Sequence, residues 1–195
     1  MLLTIDMSGK KAVVIGGGKV AWRKIRSLLA SGTQVSVVAP SVLEEISQLA
    51  QTGRIQLRQG NYQAADLAGM FLVVAATDDS RVNRQIALDA GSQGIMACVA
   101  DDPQLGNCSF PALLSRGNLE IGVSTGGCCP ALAAEIRDLI GLVITDEYGA
   151  VLDQLAKERE KLLTEGNPST YNKQVLRPLA RRLLAELTES KESST

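Results

Sequence analysis

The sequence holds no histidine, and aromatic side chains make up only 3% of its 195 residues. Without an imidazole, proton transfer near neutral pH falls to a carboxylate, lysine, tyrosine, cysteine or the substrate itself. The shortage of aromatics argues against a base-stacking platform for nucleic acid. Charge is nearly balanced at −1, so it gives no broad affinity for nucleic acid or membrane surfaces. No apolar run approaches the ~18 residues of a membrane span. The start, MLLTIDMSGKK, lacks the apolar stretch and cleavage site of a secretory leader, so a cytoplasmic protein is expected. Cysteine is also sparse: Cys98, Cys108, Cys128 and Cys129 form no C-x-x-C pair, and no metal site is expected. They read as cytosolic thiols, with adjacent Cys128 and Cys129 in a Gly-rich turn open to a redox or ligand-facing role.

What is present is an ordinary globular composition, 45% apolar and 21% charged, long enough for one domain with an extension. Short apolar runs alternate with helical patterns through the first half. Strands are expected at Lys11–Ile15, Gln34–Val38, Ile55–Arg58, Met70–Ala76 and Ile95–Ala100. Between them, helices are expected from Val20 to a stop at Gly32, over Ser41–Gln51 and over Ser80–Gly91. Strands apolar on both faces and separated by helices predict a parallel α/β sheet of the Rossmann type. After Asp101 the pattern changes. Cys108–Leu114 and Leu119–Ser124, separated by the turn-like Ser115-Arg116-Gly117-Asn118, predict a β-hairpin. Helices follow over Pro130–Ile144, Tyr148–Leu163 and Val175–Leu187, with a break at 166–170 and a frayed tail from Ser190. The expected organisation is a nucleotide-binding Rossmann domain over 1–112, a hairpin-and-helix region over 113–147 and a small helical C-terminal domain over 148–195. This second half looks built to pack against something, such as a second copy of the chain.

Ile15-Gly16-Gly17-Gly18-Lys19-Val20-Ala21 fits G-x-G-x-x-G/A directly after a strand and at the opening of a helix. Gly16 permits the tight turn, Gly18 lets the backbone approach a pyrophosphate, and Ala21 lets the helix pack on the sheet. The helix start supplies free N–H donors for phosphates. The acid that usually follows the second strand and binds ribose hydroxyls is missing: the strand ends Val38-Ala39-Pro40-Ser41. No arginine follows to hold a 2′-phosphate, so the motif indicates a dinucleotide without choosing one. The ribose falls to Ser41 and to backbone around Ala39 and Pro40. At the end of the fourth strand, Thr77 is placed to contact the ribose or nicotinamide side. Asp78 shares that edge, and Asp79 reads as the cap of the following helix.

Asp101 and Asp102 end the fifth strand at the same edge. A carboxylate there can be a general acid or base, or a metal ligand, and the plainer alternative is an Asx turn before Pro103. Asp101, still part of the strand end, is the stronger catalytic candidate. Ser124-Thr125-Gly126-Gly127 leads into a helix opened by Pro130, and its hydroxyls and glycines suit a phosphate or carboxylate.

These segments occur in a telling order: Gly-Gly-Gly-x-Val-Ala-x-Arg-Lys at 16–24, Val-Val-Ala-Pro at 37–40, Ala-Ala-Thr-Asp-Asp at 75–79, Val-Asn at 82–83, Asp101, Ser-Phe at 109–110, and Ser-Thr-Gly-Gly-x-x-Pro at 124–130. The series resembles the precorrin-2 dehydrogenase family, also known as the N-terminal module of sirohaem synthase. The resemblance covers residues 1–145. It implies NAD-linked oxidation of precorrin-2 to sirohydrochlorin, in members built as homodimers, some of which also insert ferrous iron. It places the catalytic aspartate at Asp101 and NAD contacts at Gly16, Gly17, Gly18, Lys19, Val20, Pro40 and Ser41. A polycarboxylate tetrapyrrole also gives a purpose to Ser124–Gly127 and to cations such as Arg23, Lys24 and Arg137. The methyltransferase module of longer members is not in this sequence. A competing reading is a non-catalytic NAD-binding redox regulator in which Asp101 is a turn residue. A hydroxy-acid dehydrogenase is disfavoured, because such enzymes usually employ a histidine.

Overall fold

The computed structural model describes residues 2–164 and 172–192. They fall into two compact units, Met1–Phe110 and Pro111–Thr195. The first is built on five parallel strands, β1 (Lys11–Ile15), β2 (Gln34–Ala39), β3 (Gln56–Gln59), β4 (Leu72–Ala75) and β5 (Met96–Val99), in the order β3-β2-β1-β4-β5. The expected Rossmann-type sheet is therefore present, within two residues at most strand ends.

Sheet burial follows from residue type. β-Branched side chains fill β1 and β4, and alternate positions point to opposite faces. Ala12 and Val14 join one apolar cluster with Ala21, Ile25 and Leu28 of α1 (Lys19–Ala30) and Ile46 of α2 (Glu44–Gln51). Val13 and Ile15 join another with Leu67 of a single 3-10 turn (Ala64–Leu67) and Ile86, Ala87 and Ala90 of α3 (Ser80–Ser92). Both faces being covered, the strands are apolar throughout. The second expected helix starts at Glu44 rather than Ser41, because the Ser41–Leu43 segment folds back on the glycine loop, with Leu43 N–H donating to the Gly17 carbonyl at 2.9 Å.

The second unit opens with an antiparallel hairpin, β6 (Ala112–Arg116) and β7 (Leu119–Val123). Its two-residue turn is Gly117-Asn118, with Gly117 at φ 59° and, among the described residues, no non-glycine at positive φ, the pattern of a II′ turn. The first hairpin strand had been expected from Cys108. Instead Asn107 and Cys108 pair along β5: both backbone N–H groups donate to the Ala97 carbonyl, and the Asn107 side chain accepts from Ala97 N–H at 2.8 Å. The segment up to Phe110 thus belongs to the first unit.

Three helices follow, α4 (Pro130–Val143), α5 (Asp146–Thr164) and α6 (Arg177–Glu192), the last entered through a π-type turn at Asn172–Leu176. Arg116 ties β6 to the end of α4, donating to the carbonyls of Ile144 at 2.9 Å and Gly141 at 3.3 Å, where a cation suits the helix dipole. Pro178 lies in the first turn of α6, where a missing N–H costs least, and α6 runs on through Ser190 to Glu192. The expected break at 166–170 and the final residues 193–195 lie outside the described residues. Among the described residues no helix is long and apolar enough to cross a membrane.

Candidate active site

Strand register brings the distant motifs to one edge. Ile15 is level with Val38 and Ala75, and Ala75 is level with Val99. The glycine loop after β1, Thr77 after β4 and Asp101 after β5 therefore follow the carboxyl ends of three adjacent strands. Here the order switches from descending to ascending, the place where open α/β sheets bind ligands.

The three loop glycines have different work. A β-carbon on Gly16, at φ 130°, would lie 2.2 Å from the Ala76 carbonyl oxygen, and one on Gly17 would lie 2.0 Å from that of Ser41. Those two let the loop pack against the ends of β4 and β2. A β-carbon on Gly18 would meet nothing within 4 Å, so this glycine leaves open space at the helix start. α1 has no side-chain cap there, and its first bond is Trp22 N–H to the Gly18 carbonyl. The amides of Lys19, Val20 and Ala21 remain at the open end, a cradle with the donors and positive potential a pyrophosphate requires. Lys19 and Val20 are exposed beside it, as are Pro40 and Ser41 across the loop.

On the other side of the edge is a connected polar group. Asp101 accepts from the Ser80 hydroxyl at 2.7 Å through one oxygen and from the Asn83 amide at 2.8 Å through the other. Asn83 also binds Thr77 at three atoms: its side-chain oxygen accepts from the Thr77 N–H (3.1 Å) and hydroxyl (2.8 Å), and its amide donates to the Thr77 carbonyl (3.2 Å). Thr77 is thus engaged from within rather than left free. Burial pushes the Asp101 carboxyl up, but the hydrogen bonds from Ser80 and Asn83, with backbone N–H groups, outweigh it and hold the carboxyl below its usual range. It is an oriented, ionised acceptor.

The neighbouring acids play lesser parts. Asp79 caps α3 by accepting from Arg81 N–H at 2.8 Å and pairs with the Arg81 guanidinium, as expected of it. Asp102 accepts from Gln104 N–H at 3.1 Å, making the Asx turn. Asp78 is exposed. A shallow cavity of about 370 Å³ lies beside Asp101, lined by Ser80, Arg81, Arg84, Asp102 and Leu105. Arg84, which the sequence reading did not single out, lines the same cavity and makes no ion pair among the described residues. Ser80 and Asn83 were also missed as functional residues. The available signal was Asn83 itself, the polar member of the buried stripe Asn83, Ile86, Ala87, Ala90.

The expected cations fare unevenly. Lys24 sits 4.1 Å over the Phe110 ring, and burial lowers its pKa. Arg137 is paired with Asp138 at 2.7 Å, whereas Arg23 is exposed. In the second unit the Ser124 hydroxyl accepts from Gly126 N–H at 3.2 Å and the Thr125 hydroxyl from Cys129 N–H at 3.1 Å. Each hydroxyl keeps its own proton as a donor, beside Gly126 and Gly127 at positive φ. Cys128 and Cys129 are exposed free thiols at the start of α4.

A parallel sheet with a glycine loop at its switch point and an anchored carboxylate on the same edge defines a Rossmann-type, dinucleotide-binding protein. The family model described as "Putative NAD(P)-binding" matches residues 3–112, and that described as "Sirohaem biosynthesis protein central" matches residues 116–141. A precorrin-2 dehydrogenase of Bacillus subtilis is 32% identical over 159 residues, covering 82% of this chain and 98% of that one. A siroheme synthase of Chromobacterium violaceum is 42% identical over 145 residues, 74% of this chain and 31% of that protein. The chain thus spans about a third of the length of the siroheme synthases it matches. The solved structure of SirC, precorrin-2 dehydrogenase, superposes with TM-score 0.70 at 26% identity, covering 97% of this chain and 99% of that one. The chain belongs to the precorrin-2 dehydrogenase family.

Proposed function

We propose that the protein is an NAD-dependent dehydrogenase that oxidises precorrin-2 to sirohydrochlorin, in the cytoplasm, on the route to sirohaem. The observation that carries this reading is the Asp101 carboxylate, fixed through both oxygens on the same sheet edge as the glycine loop. Bound at that loop, NAD supplies the hydride acceptor. Gly16, Gly17 and Gly18 shape the loop; the Lys19 and Val20 amides meet the pyrophosphate; Pro40 and Ser41 line the ribose side without a carboxylate. Thr77 and Asp78 border the cofactor from the end of β4. Dehydrogenation removes a hydride and a proton from the tetrapyrrole, and Asp101, ionised at neutral pH, accepts the proton.

Precorrin-2 is a polycarboxylate. Arg84, which lines the cavity beside Asp101 and makes no ion pair among the described residues, offers a carboxylate a bidentate partner, and Ser124, Thr125, Gly126 and Gly127 are a separate carboxylate-binding candidate within the second unit. The active form is a homodimer through α4, which exposes Leu139 (63%), Leu142 (78%) and Val143 (62%), more apolar surface than one soluble helix ordinarily leaves wet. Ferrous iron insertion is the finer step. In that step the iron would be substrate, received by the tetrapyrrole nitrogens.

The test is anaerobic turnover of precorrin-2 generated in situ, with NAD and NADP in parallel, following reduced cofactor and the product spectrum. Sirohydrochlorin is expected with NAD, and adding ferrous ion to the same reaction tests chelation. Asp101→Ala should lose about 10²-fold or more in kcat while keeping NAD affinity. NAD binding without turnover would replace this reading with that of an NAD-binding regulator, whereas a fully active Asp101→Ala enzyme would keep the dehydrogenase and return Asp101 to a strand-end turn.

A further inference from the structure

Asn83 occupies a position that packing alone would give to an apolar residue. It lies on the stripe of α3 that carries Ile86, Ala87 and Ala90, and it is 0% exposed. Burying a side-chain amide is costly unless every donor and acceptor is met. Here all are: two protons donated, to the Thr77 carbonyl and Asp101, and two bonds accepted, from the Thr77 N–H and hydroxyl. The two partners belong to different halves of the site. Thr77 ends β4, beside the glycine loop, and Asp101 ends β5. Ser80, exposed one turn earlier on the same helix, binds only the second oxygen of Asp101.

We propose that Asn83 is a positioning residue that couples the cofactor edge of the sheet to its proton acceptor, holding Thr77 and the Asp101 carboxylate as one hydrogen-bonded unit, with Ser80 completing the grip on Asp101. The inference rests on the dehydrogenase reading for its kinetic consequences, though not for its geometry. With one oxygen held by Asn83 and the other by Ser80, the plane of the carboxylate is fixed. A buried amide bridging two strand ends also prevents one edge from shifting without the other, so cofactor placement and proton acceptance share a single anchor.

The two grips can be separated. Ser80→Ala removes a contact to Asp101 alone, whereas Asn83→Ala removes contacts to Asp101 and Thr77 together. Ser80→Ala should lower kcat about tenfold with the KM for NAD within about twofold, and Ser80→Thr should restore it. Asn83→Ala should lower kcat further and also raise the KM for NAD about tenfold. Both should move the acid limb of kcat to higher pH, because the bonds that favour the ionised form are lost while burial still disfavours it. The other charges lining the cavity beside Asp101 are Arg81 and Arg84 of α3 and Asp102 of the following loop. None is altered by either substitution, so the limb reports on the bonds.

The experiment is steady-state kinetics of the four proteins from pH 5 to 9, with Asp101 titrated by carbon-13 NMR and NAD affinity measured by calorimetry on the same samples. Wild-type kcat, KM and acid limb in both Ala variants would overturn the proposal, as would a loss of thermal stability with no change in the pH profile. Should Asn83→Ala fail to fold, Ser80→Ala and its rescue by threonine still decide the grip on Asp101, and Asn83→Ser replaces it for the coupling. Should the wild-type protein turn over no precorrin-2, the dehydrogenase reading fails. The proposal then stands on the Asp101 titration and NAD affinity, and falls if Asn83→Ala leaves both at their wild-type values.

Discussion

A β-carbon at Gly17 would lie 2.0 Å from the Ser41 carbonyl oxygen, whereas one at Gly18 would meet nothing within 4 Å. Two glycines of one motif therefore predict opposite behaviour. Gly17→Ala must push apart two backbone segments that share a hydrogen bond, Leu43 N–H to the Gly17 carbonyl, and is expected to cost about 3 kcal/mol of stability. Gly18→Ala should melt within about 2 °C of wild type and lose NAD affinity by about tenfold or more, since its methyl occupies the space a pyrophosphate needs. Differential scanning fluorimetry with and without NAD separates the two. A Gly18→Ala protein with wild-type NAD affinity would show that the cofactor does not approach the loop there. The glycines and Asp101 were legible from residue type and spacing. The contacts that Ser80 and Asn83 make with Asp101 were not, because they depend on how α3 lies against the end of β5.

At the level of elements, the segment after β5 is the clearest departure from the sequence reading. Cys108–Phe110 alternates like a strand and sits next to a true hairpin, so local pattern assigns it to β6. Pairing with Ala97 prevails, since it satisfies backbone donors along β5 and brings Cys108 and Phe110 against the apolar cluster that includes Cys98. The consequence is chemical. Burial raises the pKa of the Cys98 thiol and pushes that of Cys108 up to about 12, while Cys128 and Cys129 are exposed. Titration with Ellman's reagent at pH 8 should find two fast thiols in the native protein and four in guanidinium, because reaction requires thiolate and access. Four fast thiols in the native state would mean that this segment does not hold to β5.

For the whole molecule, the apolar face of α4 bears most on function. Leu139, Leu142 and Val143 are turned to water in a single chain, and their positions fall on or beside the segment matched by the sirohaem central family. If a second copy covers them, Leu139→Glu with Leu142→Glu should convert dimer to monomer in light scattering coupled to size exclusion. The Rossmann unit should keep its NAD affinity, since the glycine loop lies wholly within Met1–Phe110. A wild-type protein that is already monomeric at micromolar concentration would overturn the dimer.

The sequence by itself determined the architecture of the first unit and the identity of its edge. Runs such as KAVVI and LVVA, apolar at consecutive positions, can be buried on both faces only in a covered parallel sheet. A glycine triplet between such a strand and a helix then marks the carboxyl edge, and a strand-end aspartate in a chain without histidine narrows the chemistry. Only the tertiary structure decided what holds that aspartate. Asn83 and Asp101 are 18 residues apart, and Ser80 and Asp101 are 21 apart, so no periodicity joins them. They meet because the register of β4 with β5 and the packing of α3 bring three separate segments within hydrogen-bond range, and such directional contacts between distant segments leave no mark on local sequence.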